Sequence, residues 1–175
     1  WQRNVFNYRA CSRWRVRAGR RQTARDAMLT DEMTKLIRDH SAGMVASIND
    51  DGTPSVSPKA TFVVLDSSSI AFGNIRSPGT LANIRKRPAV EVCFIDVLLR
   101  KAIRVTGSAG VQMKAEADAR LLAAFEATWL AYLVHMSAFV KIDIRDADLI
   151  LSPAYDLGYS QEDLRRTNLE KLNAL

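Results

Sequence analysis

Sulfur and imidazole are scarce in this sequence: it has two cysteines and two histidines among 175 residues. Cys11 and Cys93 match no zinc-ligand spacing, and two cysteines allow one bridge at most. A disulfide scaffold is excluded, and a reducing, cytoplasmic compartment is expected. Cys93, between Val92 and Phe94, reads as a buried structural thiol. His40 and His135 are far apart and form no metal pair by spacing, so no metal site is expected. Apolar runs are short as well. The most apolar stretch, residues 129–140, is interrupted by His135, whereas a membrane span needs about 20 apolar residues. Three motifs are missing altogether: the dinucleotide-binding G-x-G-x-x-G after a strand, the P-loop, and the G-x-S-x-G nucleophile elbow.

What remains is an ordinary globular composition, 47% apolar and 25% charged, long enough for one domain. The net charge of +6 is unevenly spread. Residues 1–27 carry eight arginines against one acid, Asp26, while the rest carries 17 basic and 18 acidic side chains. Composition changes at Met28. The expected organisation is a basic arm, 1–27, outside the core, and one domain, 28–175. Three readings of the arm stand open: a non-native upstream extension, a transit-type leader, and a nucleic-acid arm in which arginines alternate with aromatic rings. Nothing beyond the arm supports nucleic-acid binding.

Thr30 or Asp31 caps a helix running to about His40, with Met33, Leu36 and Ile37 as its apolar stripe. Residues 44–48 read as a strand, and Asn49-Asp50-Asp51-Gly52 as a hairpin turn. The next strand covers 53–65. Val56, Pro58, Ala60 and Phe62 alternate there as a core face with Ser55, Ser57, Lys59 and Thr61 as a polar face. A third strand, 70–74, leads to Ser77-Pro78, the cap and first residue of a short helix that ends before Pro88. Strands at 89–96 and 100–112 follow, then a helix over 115–133 with a stripe of Leu122, Phe125, Trp129 and Leu133. A sixth strand, 138–145, and a polar helix from Ser160 complete the chain. Hairpin-length connections predict a mainly β fold with flanking helices: six antiparallel strands closed into a small barrel.

The segment 73–87 carries the clearest chemistry. A phosphate monoester needs several donors and positive charge, and a helix N-terminus supplies both. Ser77 and Thr80 add hydroxyls, Arg76 adds charge and Gly79 permits close approach. Lys59, on the polar face of a neighbouring strand, offers a second cation. The alternative is that Ser77-Pro78 only starts a helix.

In order and spacing, several pieces resemble the pyridoxamine 5′-phosphate oxidase-like, FMN-binding split barrels over about residues 30–157. They are Asp51-Gly52-Thr53-Pro54 before Ser57-Pro58-Lys59, Ile70-Ala71-Phe72-Gly73-Asn74, and Ser77-x-x-Thr80-x-x-Asn83-Ile84-x-x-x-Pro88. Phe94-Ile95-Asp96 and Arg104-Val105-Thr106-Gly107-Ser108-Ala109 follow. The resemblance implies FMN in a groove at a homodimer interface. Lys59, Ser77 and Thr80 would hold its phosphate with Arg76 adjacent, and Thr61 and Asn74 would lie near the ring or ribityl chain. Lys101 and Arg104 would come from the partner. It implies an oxidoreductase working with a small-molecule electron donor or acceptor, with no catalytic acid or base identified. The chain is shorter than the true oxidase, and Ser152-Pro153-Ala154-Tyr155-Asp156-Leu157-Gly158 replaces the arginine- and histidine-bearing end that holds pyridoxal phosphate there. Oxidation of pyridoxamine phosphate is therefore not implied. The rival readings are a non-catalytic flavin, haem or deazaflavin binder, and a nucleic-acid binder acting through the arm.

Overall fold

Strand pairing follows the hairpins and then departs from them. The computed structural model describes residues 29–175; the expected arm, 1–27, lies outside them. Helix α1, Asp31–Asp39, starts where Thr30 Oγ1 accepts the Met33 N–H at 3.2 Å, and it buries Met33, Leu36 and Ile37. Strands β1 (Gly43–Ile48) and β2 (Pro54–Lys59) form the expected hairpin; Gly52 turns at φ 84°, a conformation glycine adopts without penalty. Strands β3 (Phe62–Asp66) and β4 (Ser69–Asn74), helix α2 (Pro78–Lys86), and strands β5 (Ala89–Asp96) and β6 (Lys101–Met113) follow. Helix α3 (Ala119–Leu133), strand β7 (Ala138–Leu151) and helix α4 (Gln161–Asn173) end the chain.

The sheet is antiparallel throughout, in the order β2-β1-β5-β6-β7-β4-β3. Among the described residues it has seven strands, not six. The expected strand 53–65 changes partners at Ala60-Thr61, so that β2 pairs with β1 and β3 pairs with β4. Thr61 fixes the corner: its Oγ1 donates to Gly73 O at 2.7 Å, and Gly73 N donates to Thr61 O at 3.2 Å. The two edge strands are thus joined by two residues, and the sheet curls until its edges meet there.

The faces of β2 are reversed from the expectation. Val56 is 64% exposed and Pro58 and Ala60 are also exposed, while Lys59 is buried and Ser55 and Ser57 are half-buried. The corner is the reason: beyond it Phe62 turns into the barrel, against Phe72 and Phe94 at centroid distances of 5.3 and 4.7 Å. The main core fills the barrel, and α1 covers it. A second cluster lies under α3, where Phe125 meets Phe139 at 4.5 Å.

Two further boundaries differ from the expectation. A single 3-10 turn occupies 114–116, and α3 begins only after Asp118, whose carboxylate accepts the Leu121 N–H. Leu121 and Phe125 are its buried residues; Leu122, Trp129 and Leu133 are half-buried. Strand β7 extends to Leu151 because β6 pairs with it along its whole length.

Candidate functional site

The turn after β4 aims α2 at the corner between β2 and β3. Pro78 is the first helical residue, and Ser77 occupies the cap position without using its hydroxyl to cap. Asn83 fixes the helix from behind, donating to Ser47 Oγ at 3.1 Å and Asn49 Oδ1 at 2.9 Å. Lys86 and Arg87 both pair with Asp50 in the hairpin turn. The first turn of α2 therefore keeps its free N–H groups and positive end, and no carboxylate stands in that turn.

A cavity of about 600 Å³ opens at this place, within the range of small-ligand sites. Lys59, Thr61, Gly73, Arg76 and Ser77 line one part of it; Trp129 and Tyr132 line another. Lys59 is 7% exposed, and its ammonium donates to Ser57 Oγ and to Pro58 O. Among the described residues no carboxylate pairs with it. Burial pushes its pKa down, as expected for a cation taken out of water without a counter-charge. A Cβ added at Gly79 would meet nothing within 4 Å, so the approach to the helix start is open.

Four of the eight expected site residues line the cavity: Lys59, Thr61, Arg76 and Ser77. Thr80 is buried on the first turn of α2, and Asn74 is buried at the end of β4; neither lines the cavity. Asn74 donates to Ser137 Oγ, but its Oδ1 is buried without a partner. Lys101 and Arg104 lie elsewhere on the chain. Lys101 is paired with Glu32 at 2.6 Å, and Arg104 is held by Glu91 and Asp148. The sequence reading missed Trp129 and Tyr132 as cavity residues. Trp129 has non-helical angles, φ −127° and ψ 29°, inside α3, and its indole N–H donates to Phe62 O at 3.0 Å. Helical spacing placed it in the core stripe and carried no sign of that break.

The remaining candidates for chemistry are weaker. Burial pushes the Cys93 thiol up, which does not suit a nucleophile. His40 Nε2 lies 3.3 Å from Asp96 Oδ2, away from the cavity. No group of three metal-ligating side chains occurs among the described residues.

The family model for pyridoxamine 5′-phosphate oxidase matches residues 29–151. The chain belongs to the pyridoxamine 5′-phosphate oxidase family. Solved structures show the same fold at low identity. HupZ of Group A Streptococcus is 24% identical, with a TM-score of 0.63, over 71% of this chain and 96% of that one. A candidate pyridoxamine 5′-phosphate oxidase from Lactobacillus delbrueckii is 24% identical, with a TM-score of 0.58, over 70% and 94%. A conserved hypothetical protein from Mycobacterium tuberculosis is 16% identical, with a TM-score of 0.57, over 79% and 94%. No curated protein matches the chain. The whole cavity lies within the stretch that the family model matches, whereas α4 lies beyond it. No helix among the described residues is long and apolar enough to cross a membrane.

Proposed function

We propose that this chain binds FMN at a homodimer interface and acts as a flavin-dependent oxidoreductase toward a small-molecule electron donor or acceptor. One observation carries the reading: a buried lysine with no carboxylate partner among the described residues lines the same cavity as the cap of a helix. Such a cation is costly unless an anion completes it. A phosphate monoester fits the donors present: the Lys59 ammonium, the unused Ser77 hydroxyl, the Arg76 guanidinium and the free N–H groups of α2. Bound FMN supplies the hydride chemistry. Trp129 and Tyr132 offer it an aromatic wall and keep water from one side. Thr80 stands buried on the first turn of α2, on the same helix end as those N–H groups.

The reversed face of β2 supports the dimer. Val56 and Pro58 stand there beside Met44, with Cys93 and Ile95 on the next strand. These side chains form an outward apolar patch bordered by Glu91, which stands opposite Ala46, and an apolar patch on a sheet face suits a contact between copies. Arg104 stands on the same face, opposite Cys93 in the β5–β6 ladder, and in this reading a second copy brings it to the cofactor. Lys101 spends its charge on Glu32. The domain assignment, a single unit from 28 to 175 with the arm outside it, and a cytoplasmic location complete the proposal.

The test is an absorbance spectrum of the purified full chain with mass identification of any released ligand. Released FMN, or stoichiometric FMN uptake by the ligand-free protein, supports the reading. A haem spectrum, or failure to take up FMN, overturns it.

A further inference from the structure

We propose that a second cavity, which shares Trp129 with the first, is a ligand site for a flat apolar molecule carrying one negative charge, such as an aromatic carboxylate. It has about 460 Å³ and lies between α1, β3 and α3. It deepens the reading of the first cavity as the cofactor site, because both cavities use the same indole as a wall.

Ile37, Val63 and Val64 supply apolar surface, Ser41 and Thr128 add two hydroxyl-bearing residues, and Ala124 and Ala127, three positions apart on one face of α3, leave room that longer side chains would fill. Among the described residues Arg38, which is exposed, is the one charged residue on the lining; no acid of theirs lines it, and no carboxylate of theirs pairs with Arg38. The edge of β3 adds a second polar element. The bond from Gly73 N to Thr61 O sets the alternation of the ladder, so the N–H and C=O of Phe62 and Val64 turn to the free edge. Trp129 closes Phe62 O, and Arg120 Nη2 closes Leu65 O at 3.0 Å. Val64 lies between these two closures and borders the cavity. One guanidinium with one strand-edge donor matches a carboxylate. A phosphate dianion needs the richer donor set of the first cavity.

Three probes decide the matter on the full chain, each titrated calorimetrically: 2-naphthoate, its uncharged counterpart 2-naphthamide, and 2-naphthyl phosphate. The naphthoate is expected to bind the parent protein. Arg38→Gln should weaken it roughly tenfold, the loss of about one charge-assisted bond, and leave the amide unchanged. Ala127→Phe should remove both; Ala124→Leu serves the same purpose if that variant does not fold, as judged by its melting curve. No binding of naphthoate overturns the proposal. So does equal weakening of acid and amide by Arg38→Gln, or tighter binding of the phosphate than of the carboxylate. FMN uptake is read separately by absorbance in the same samples. Naphthoate binding without FMN uptake overturns the cofactor reading alone; FMN uptake without naphthoate binding overturns this one alone.

Discussion

The ammonium of Lys59 stands 6.0 Å from the ring centroid of Phe72. A buried cation near an aromatic face is partly compensated, because the ring presents negative potential to it. The compensation is incomplete, since burial still lowers the pKa of Lys59. The apo protein therefore carries a residue that suits ligand binding better than folding.

Lys59→Met should raise the stability of the ligand-free protein, by about 1 kcal/mol, and its melting temperature by about 2–4 °C. The same change should weaken FMN roughly tenfold to a hundredfold and leave riboflavin, which lacks the phosphate, nearly unchanged. Opposite signs for stability and binding are the signature to look for. The pH dependence follows from the direction of the shift. Phosphate favours charged Lys59, so FMN affinity should fall as pH rises through the lowered pKa, earlier than for an ordinary lysine, while riboflavin stays flat.

Gly79→Ala separates the helix from its ligand. The added methyl meets no atom, and alanine is the better helix former, by less in this first turn than the roughly 0.8–1 kcal/mol of a helix interior. Chemical denaturation should show equal or greater stability. If phosphate approaches this turn closely, the variant should lose FMN affinity all the same.

Asp66 gives an acid-stability test. Burial raises its pKa, but hydrogen bonds from Ser68, Ser69 and Arg120 outweigh that and hold it at about 2. The contribution of this carboxylate is fully present above its unfolded value near 4. It should be lost as pH falls from about 4 toward 2. Asp66→Asn should flatten the unfolding free energy measured across that window and lower stability near neutral pH.

Val56→Glu probes the outward sheet face. A carboxylate in place of this exposed side chain costs the isolated subunit little, yet it puts like charges into an apolar contact between copies. Sedimentation should show the parent as a dimer and the variant shifted to monomer, with weaker FMN binding and an unchanged melting curve at low concentration.

Much of this was legible from local chemistry. The α1 cap, the Asn49–Gly52 turn and the Ser77-Pro78 helix start each depend on neighbours within a few residues; the turn and the helix start stand as read, and of the two cap candidates the structure uses Thr30. Lys59, Thr61, Arg76 and Ser77 converge because the helix start and the strand corner meet at one end of the barrel. The corner itself was legible only in part: a proline at position 58 argues for an edge or a bulge, and β2 is an edge strand. Nothing within residues 58–62 shows that Thr61 will bond to Gly73, and without that bond the alternation runs on and assigns β2 the wrong faces. Lys101 is the same kind of case: Glu32, its partner, comes from a helix 69 positions away. Trp129 reached the site through a break in its helix that periodicity does not encode.

The order of strands also sets an order of manufacture. β2 finds its partner β1 across five residues, so that hairpin can assemble as soon as it leaves the ribosome. β4 has no such luck on its other side: Ser69 pairs with Asp143 and Asn74 with Ala138, residues made only after β5, β6 and α3. Until then the strand that carries Gly73 and Asn74 waits with one edge open. The cofactor corner is thus among the last parts of the molecule to be sealed, and a chain stalled or truncated before β7 exposes a sticky strand beside a half-built site.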